Sequence, residues 1–410
     1  MKTPIDLENK TILVTGSPGF IGANLVLRLL SEMKHGHVIS FDNMNDYYDP
    51  SLKEYRLGMI EHAAESSAQN VASSGQSAMS AAQNANKTGS AVKHTFIKGT
   101  IADKALVGKV FKEYKPDIVV NLAAQAGVRY SLDHPDLYIE SNIIGFYNIL
   151  EACRHSYDIA AKSGRDEAAA RAGRSDSAEK EGSSDASYGG VQHLVYASSS
   201  SVYGSNKKVP FSTDDKVDDP VSLYAATKKS DELLAHAYSK LYDIPSTGLR
   251  FFTVYGPAGR PDMFYYSATQ KLVRGETISI FNYGDMKRDF TYIDDIVEGV
   301  IRVMKGAPER STGEDDLPVP PYALYNIGGG QPENLLDFIS ILQEELVRAG
   351  ILPEDYDFEA HRELVGMQPG DVPDTYADTE ALERDYGFTP QTGIREGLRK
   401  FAEWYKEYYL

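Results

Sequence analysis

A glycine-rich turn near the start of the chain separates a short apolar run, residues 11–15, from an amphipathic segment. The turn reads Thr15-Gly16-Ser17-Pro18-Gly19-Phe20-Ile21-Gly22. Glycines here permit a tight turn and let backbone N–H groups at the start of the following helix approach a pyrophosphate. The pattern therefore predicts a strand, a turn and a helix that together bind a dinucleotide. The predicted contacts come from Gly16, Gly19, Phe20, Ile21 and Gly22.

Apolar runs and amphipathic segments alternate through the first 250 residues. Further strand-like runs occupy residues 37–41, 95–97, 118–122 and 193–197, and the first helix is predicted over residues 20–33. This alternation is typical of repeated βαβ units. After about residue 253 the pattern breaks into shorter pieces rich in Gly, Pro, Tyr and Asp. We predict an α/β protein in which residues 1–252 form a Rossmann-type doubly wound parallel sheet. Residues 253–410 form a smaller mixed α/β domain, and some of its segments return to the first domain.

Two segments depart from this alternation. Residues 62–92 are dominated by Ala, Ser, Gln, Asn and Gly, and residues 157–190 are similar but more charged. Segments of this composition bury too little apolar surface to offset the entropy lost on ordering. We predict that both are surface insertions in the first domain. A role in binding a partner is the alternative.

Charge and cysteine content exclude several classes of protein. The chain has 42 Lys+Arg against 59 Asp+Glu, a net charge of −17, which disfavours nucleic acid and anionic membranes as partners. Cys153 is the only cysteine, which excludes an intrachain disulfide and a cysteine-based metal site, so no metal is expected. No apolar run reaches the ~20 residues of a membrane span, and residues 1–10 do not resemble a signal peptide. We expect a soluble, cytoplasmic protein.

The second strand-like run ends in an acid. Asp42 follows Gly22 by 20 residues. At this separation an acidic side chain accepts hydrogen bonds from the adenosine ribose hydroxyls of NAD, and its charge repels the 2′-phosphate of NADP. NAD is therefore the predicted cofactor, and a glycine-rich turn without a ligand is the alternative.

A tyrosine and a lysine stand four residues apart in Tyr224-Ala225-Ala226-Thr227-Lys228. On a helix they share one face, so the Lys228 ammonium can favour the phenolate form of Tyr224. Tyr224 is then a candidate general base. A serine from the run that ends the fifth strand can complete a proton relay to a substrate hydroxyl. Alone, such a pair is more often an amphipathic surface pair, but the glycine turn and the serines favour the catalytic interpretation.

Four longer segments carry a resemblance to a known family. They are Asp42-Asn43-Met44-Asn45-Asp46-Tyr47-Tyr48, Ala124-Gln125-Ala126-Gly127-Val128-Arg129-Tyr130-Ser131, Phe281-Asn282-Tyr283-Gly284-Asp285-Met286-Lys287-Arg288-Asp289-Phe290 and Gln368-Pro369-Gly370-Asp371-Val372-Pro373. The chain resembles the extended short-chain dehydrogenase/reductases, and within them the UDP-glucuronate 4-epimerases. The resemblance covers nearly everything outside the two predicted insertions.

The resemblance implies a set of site residues. Aligned on Val202-Tyr203-Gly204, the catalytic hydroxyl of the family falls on Ser199, 25 residues before Tyr224. The implied NAD site is lined by Asp42, Asn43, Ile101, Ala123, Gln125, Tyr224 and Lys228. Arg288 and Asp371 are implied to hold the UDP part. Family members usually carry an aspartate facing adenine where this chain has Thr100. The pyrophosphate and ribose contacts remain, so NAD binding is still expected.

The predicted carboxylate site is a group of hydroxyls. Ser198, Ser199 and Ser200 stand together at one strand end, and the resemblance brings Thr253 beside them. Such donors can hold an anion, which distinguishes a glucuronate from a neutral sugar. Two arginines, Arg129 and Arg260, are further anion-binding candidates. Contact with the diphosphate, or a surface ion pair, is the alternative for each.

The implied activity is the NAD-dependent 4-epimerisation of UDP-glucuronate to UDP-galacturonate through a 4-keto intermediate. Related dehydratases and decarboxylases commonly carry an acid after the catalytic hydroxyl, whereas Ser200 and Ser201 follow Ser199, so elimination and decarboxylation rank lower. Two alternatives stay open: a UDP-glucose/UDP-galactose 4-epimerase, and a dinucleotide-sensing Rossmann module without turnover.

The resemblance also implies a homodimer formed by the helix near residues 142–153 and the helix of Tyr224. The apolar residues on these helices include Ile143, Phe146, Ile149, Leu233 and Leu234, and burial within the monomer is the alternative for each.

Overall fold

The structure is a computed structural model that describes residues 2–76, 92–172, 188–367 and 374–410. Its strands, in chain order, are β1 Lys2–Pro4, β2 Thr11–Thr15, β3 His37–Asp42, β4 Lys93–Lys98, β5 Ile118–Asn121, β6 His193–Ser199, β7 Ser246–Phe251, β8 Thr253–Tyr255, β9 Ile278–Ile280, β10 Lys287–Arg288, β11 Phe290–Tyr292, β12 Gly306–Pro308, β13 Ser311–Thr312, β14 Pro318–Val319, β15 Tyr322–Ile327, β16 Glu333–Asn334, β17 Arg362–Leu364 and β18 Asp374–Thr375.

The α-helices, also in chain order, are α1 Phe20–Glu32, α2 Pro50–Gln76, α3 Lys104–Tyr114, α4 Tyr130–Asp133, α5 Pro135–Tyr138, α6 Phe146–Ala172, α7 Leu223–Tyr242, α8 Phe264–Val273, α9 Ile293–Met304, α10 Leu335–Arg348, α11 Glu380–Tyr386 and α12 Ile394–Tyr409. A π-helical segment, Ile139–Gly145, leads directly into α6, and a 3₁₀ turn, Ser200–Tyr203, follows β6.

Seven parallel strands form the central sheet, in the order β15-β7-β6-β5-β2-β3-β4. The predicted Rossmann-type parallel sheet is thereby confirmed. Its strands are apolar on both faces because helices cover both sides. Ile12 and Val14 of β2 belong to one core cluster, whereas Leu13 between them belongs to the cluster on the other face.

Small sheets and pairs of strands make up much of the second half of the chain. Strand β8 pairs with β11, β9 pairs with β17, and β10 lies between β16 and β18. Strand β15 pairs in parallel with β7 at the edge of the central sheet, and α9 packs against α1. Late segments of the sequence therefore complete the fold of the first half.

The first residues of both predicted insertions belong to helices α2 and α6. Helix α2 continues to Gln76 and α6 continues to Ala172, because the alanine-rich sequence favours helix. At the second insertion, the Tyr157 hydroxyl donates to the carbonyl of Val191 at 2.7 Å. The bounds of the two insertions stay predictions. Residues 77–91 and 173–187 lie outside the described part of the chain.

Within the described residues, no helix combines the length and the apolar character that crossing a membrane requires.

Gly22 lies in the first turn of α1, against the glycine turn. A Cβ at this position would collide with the carbonyl oxygen of Gly16. We expect Gly22→Ala to lower the free energy of unfolding by about 1–3 kcal/mol, the range for overpacking. Gly108→Ala in α3 is the control, because nothing lies within 4 Å of its added Cβ. Urea denaturation compares the two variants, and equal stabilities would contradict the steric argument.

Candidate active site

A cleft of about 490 Å³ opens at the carboxyl edge of the central sheet. Parallel strands end together at this edge, so the segments that follow them converge there. Most of the predicted site residues line the cleft. They are Gly16, Gly19, Phe20, Ile21, Gly22, Asp42, Asn43, Ile101, Ala123, Gln125, Ser198, Ser199, Ser200, Tyr224, Lys228, Thr253 and Arg260.

The glycine turn forms one wall of the cleft and touches the backbone that follows β5. Gly16 has a φ of +71°, and its N–H donates to the carbonyl of Phe41 at 2.8 Å. A Cβ on Gly16 would lie 2.7 Å from the backbone nitrogen of Ala123. No side chain caps the start of α1 at Gly19. The turn is therefore a cradle of bare backbone at a helix amino end, which fits a pyrophosphate.

Asp42 lies at the end of β3, as the ribose-binding interpretation requires. One of its oxygens, Oδ1, accepts a hydrogen bond from the Met44 N–H at 2.7 Å and lies 3.8 Å from the Lys53 ammonium. Burial raises the pKa of Asp42, and Lys53 opposes that change. Lys53 reaches the cleft from α2, and no sequence motif pointed to it. This end of the cleft thus holds a cation beside the acid.

Gln125 is held through its backbone, and its side-chain Oε1 accepts a hydrogen bond from Asn45 Nδ2 at 3.3 Å. Its N–H donates to Asn142 Oδ1 at 2.8 Å, and the Asn142 amide donates back to the Gln125 carbonyl and to Thr227 Oγ1, both at 3.0 Å. The Gln125 Nε2 group is buried and has no hydrogen-bond partner in the described structure. A buried donor without a partner is costly, so this amide suits a polar ligand atom.

Tyr224 and Lys228 lie one turn apart on α7, as predicted. The Ser222 side chain caps this helix by accepting from the Ala225 N–H at 3.1 Å. The buried Lys228 ammonium donates to the carbonyl of Ala197 at 2.9 Å, so β6 holds it against the sheet. Because an ammonium has three donors, this anchoring is compatible with a further contact in the cleft.

The hydroxyls of the predicted cluster differ in their hydrogen bonds. The Ser198 hydroxyl donates to Glu232 Oε1 at 2.6 Å, so its proton points into the protein and not to a ligand. Ser198 still lines the cleft, and its contact with the substrate stays a prediction. Ser199, Ser200 and Thr253 also line the cleft, and Ser199 Oγ accepts from the Ser201 N–H at 3.1 Å.

The predicted anion-binding arginines differ in position. The Arg260 guanidinium lines the cleft and pairs through two nitrogens with Asp262, at 3.0 and 2.5 Å. Arg129 lies 5.5 Å from the ring centre of Phe281, and the side chains of Arg129 and Arg288 do not line the cleft. Asp371, which the resemblance assigns to the UDP part together with Arg288, lies outside the described residues.

Arg56 of α2 is a buried residue that sequence analysis did not identify. Its guanidinium donates to the carbonyl of Pro18 at 3.2 Å and to the carbonyls of Ala258 and Gly259 at 2.6 and 2.7 Å. It also donates to the Tyr48 hydroxyl at 2.7 Å. Carbonyl acceptors leave no trace in a sequence, so no motif could have revealed this bridge. It joins the glycine turn to the loop that carries Arg260.

The fold and the cleft define a dinucleotide-binding protein with a tyrosine–lysine pair. The sequence pattern described as "NAD dependent epimerase/dehydratase family" matches residues 12–328, and the chain belongs to this family. The family resemblance predicted from the four segments is confirmed.

Two curated relatives and one solved structure are similar over most of the chain. Protein CapI of Staphylococcus aureus is 42% identical over 405 residues, covering 97% of this chain and 99% of its own. UDP-glucuronate 4-epimerase 4 of Arabidopsis thaliana is 39% identical over 405 residues, covering 97% and 76%. The crystal structure of UDP-glucuronic acid 4-epimerase from Bacillus cereus, in complex with UDP-glucuronic acid and NAD, has a TM-score of 0.70 at 27% identity. This match covers 97% of the present chain and 100% of the other.

Replacing Arg56 tests the bridge between the two loops. Arg56→Lys keeps the charge but loses the planar fork that reaches Pro18 and Ala258 together. We expect a loss of about 1–3 kcal/mol in unfolding free energy, because buried carbonyls lose their donors. Arg28→Lys on the half-exposed surface of α1 is the control and should change stability by less than about 1 kcal/mol. Equal effects in thermal denaturation would count against the bridge.

Proposed function

We propose that the protein catalyses the NAD-dependent 4-epimerisation of UDP-glucuronate to UDP-galacturonate. The observation that carries this proposal is that Tyr224, Lys228, Ser199 and Thr253 line the same cleft as the glycine turn. The similarity to proteins named UDP-glucuronate 4-epimerase supports the choice of substrate.

In this mechanism the chain moves a proton and holds the sugar. The Tyr224 phenolate takes the proton of the sugar 4-hydroxyl, the Lys228 ammonium stabilises the phenolate, and Ser199 orients the hydroxyl. NAD, when bound by the glycine turn, Asp42 and Gln125, supplies the acceptor and then the donor of the C4 hydride. The keto sugar turns its other face before Tyr224 returns the proton, so the configuration at C4 inverts.

We assign the carboxylate of the substrate to Ser199, Ser200 and Thr253. Strand β8 begins at Thr253, whose N–H donates to the carbonyl of Asp289 at 3.2 Å, so backbone pairing fixes this residue at the cleft. Hydrogen bonds to a charged group contribute roughly 1.5–3 kcal/mol each, and a neutral hydroxymethyl group cannot reproduce them. Arg260 is a further candidate for anionic groups of the substrate, and Arg288 and Asp371 are assigned to the UDP part.

Activity on two substrates, with one tyrosine variant, tests the proposal. We expect turnover of UDP-glucuronate in a coupled assay to exceed turnover of UDP-glucose. Tyr224→Phe should lower kcat by about 10²–10⁴-fold, because only the ionisable oxygen is lost. Tyr242→Phe, at the far end of α7, is the control and should keep normal turnover. A preference for UDP-glucose would favour the rival epimerase, and an active Tyr224→Phe variant would exclude Tyr224 as the proton carrier.

We also propose a homodimer through the π-helical segment, α6 and α7. Two of the apolar residues expected in the interface, Phe146 and Ile149, instead pack inside the subunit, and Leu234 packs against the same core. Exposed apolar side chains on these elements include Ile144, Tyr147 and Leu233. A second copy of the same helices would cover them.

Leu233→Glu tests this interface. Light scattering of the wild type should give about twice the 45.2 kDa of one chain. A buried charge at position 233 should shift the protein towards the monomer. Leu317→Glu is a matched control, because Leu317 is 62% exposed and Leu233 is 61% exposed. A monomeric wild type, or dissociation by both variants, would refute this interface.

A further inference from the structure

Asp231 is a buried acid on α7 that the mechanism above does not use. It lies three residues after Lys228, is only 2% exposed, and does not line the cleft. Its neighbour Glu232 has a clear structural role, because it accepts two hydrogen bonds from Arg250 at 2.8 and 2.9 Å. Within the described part of the chain, no comparable set of donors surrounds Asp231.

The contacts of Asp231 connect it to the catalytic pair. One oxygen, Oδ2, accepts from the Lys228 ammonium at 3.2 Å. The other, Oδ1, is buried and has no hydrogen-bond partner in the described structure. Among the described residues, Lys228 is the cation within 4 Å of this carboxylate. A half-satisfied buried carboxylate is costly, so its link to Lys228 calls for a functional explanation.

We propose that Asp231 is a positioning residue for the Tyr224–Lys228 pair: it fixes the Lys228 ammonium, and its ionisation sets how strongly that ammonium stabilises the Tyr224 phenolate. The inference rests on the proposed role of Tyr224 as the proton carrier. Asp231 would then be a second titrating group that acts on the site through Lys228, although it does not line the cleft.

Burial and the Lys228 ammonium act on the pKa of Asp231 in opposite directions. Burial raises the pKa of Asp231 to about 7, although the Lys228 ammonium opposes the rise. Glu232 on the same helix acts in the same direction as burial, and it is itself paired with Arg250 of β7 and Lys229. The buried hydroxyl of Tyr196, on β6, is close enough to Asp231 for a negative charge on one group to disfavour a negative charge on the other. The carboxylate therefore ionises in the pH range in which the enzyme is expected to work.

The sign of the effect follows from the charges. When Asp231 is protonated, the Lys228 ammonium keeps its full positive charge and favours the phenolate of Tyr224. When Asp231 is ionised, its negative charge offsets part of that of Lys228. Each ionisation thus opposes the other, and Tyr224 should lose its proton over a wider pH range than an isolated group.

Asp231→Asn separates the charge from the contact. The amide oxygen can still accept from Lys228, but the negative charge is gone at every pH. We expect the acidic limb of the kcat profile to move to lower pH by about one unit. The plateau of kcat and the KM should change little. Tyrosinate absorbance, measured as the difference from a Tyr224→Phe protein, should shift in the same direction without any substrate.

Asp117→Asn is the matched control. Burial also raises the pKa of Asp117, a partly buried acid, but Asp117 precedes β5 and so lies at the amino ends of the strands, away from the cleft. Its replacement should leave the Tyr224 titration unchanged. If Asp231 merely stabilised α7, Asp231→Asn would lower the melting temperature and leave both pH profiles in place, and this result would overturn the proposal.

Two further outcomes keep the test decisive. If Asp231→Asn does not fold, the wild-type tyrosinate curve decides, because a curve as sharp as a single independent group would overturn the inference. The absorbance titration needs no sugar. A protein inactive on UDP-glucuronate whose Tyr224 titration still shifts in Asp231→Asn would refute the proposed function and support the role of Asp231. An active enzyme in which Asp231→Asn leaves the Tyr224 titration unshifted would support the proposed function and refute the role of Asp231.

Discussion

The close approach of the glycine turn to the end of β5 is the contact on which the site depends. Gly16 lies against the backbone of Ala123, where no Cβ would fit, and α1 begins four residues later. The amino end of α1 therefore opens at the edge where β5 and β6 end. Pairing of β2 with β5, and of β5 with β6, then fixes the spacing between the turn and the serines. Strand register, which is rigid, positions both halves of the site.

A buried ion pair fixes the helix that carries Tyr224 and Lys228. Glu232 of α7 accepts from Arg250 of β7 and from Ser198 of β6, and all three side chains are buried. Burying such a pair costs desolvation, which excellent geometry and extra hydrogen bonds offset. Because Glu232 is one turn beyond Lys228, the same contact sets the rotation of α7. Tyr224 and Lys228 consequently face the cleft.

Sequence analysis succeeded where a local pattern determines the structure. The apolar run of β2, the glycine turn and the spacing of Tyr224 and Lys228 are local, so the parallel sheet and much of the cleft lining were predictable. Sequence patterns do not show what a distant partner decides. The direction of Ser198 depends on Glu232, 34 residues away, and Arg56 binds carbonyls that any residue carries. Asp231 showed its spacing from Lys228 in the sequence, but not its burial.

The charges of the cleft explain why backbone groups matter for anion binding. Lys53 pairs with Asp42, Lys228 with Asp231 and Arg260 with Asp262, so three cations at the cleft are largely offset. A dinucleotide and a nucleotide sugar each carry a diphosphate, and the chain itself has a net charge of −17. The N–H groups at the start of α1 supply positive potential without a carboxylate beside them. Arg56 adds a full charge behind the same turn, and in the described structure it is held by carbonyl and hydroxyl oxygens. Arg56 therefore joins the glycine turn to the loop that carries Arg260. It also supplies a positive charge that forms no ion pair with a carboxylate in the described structure.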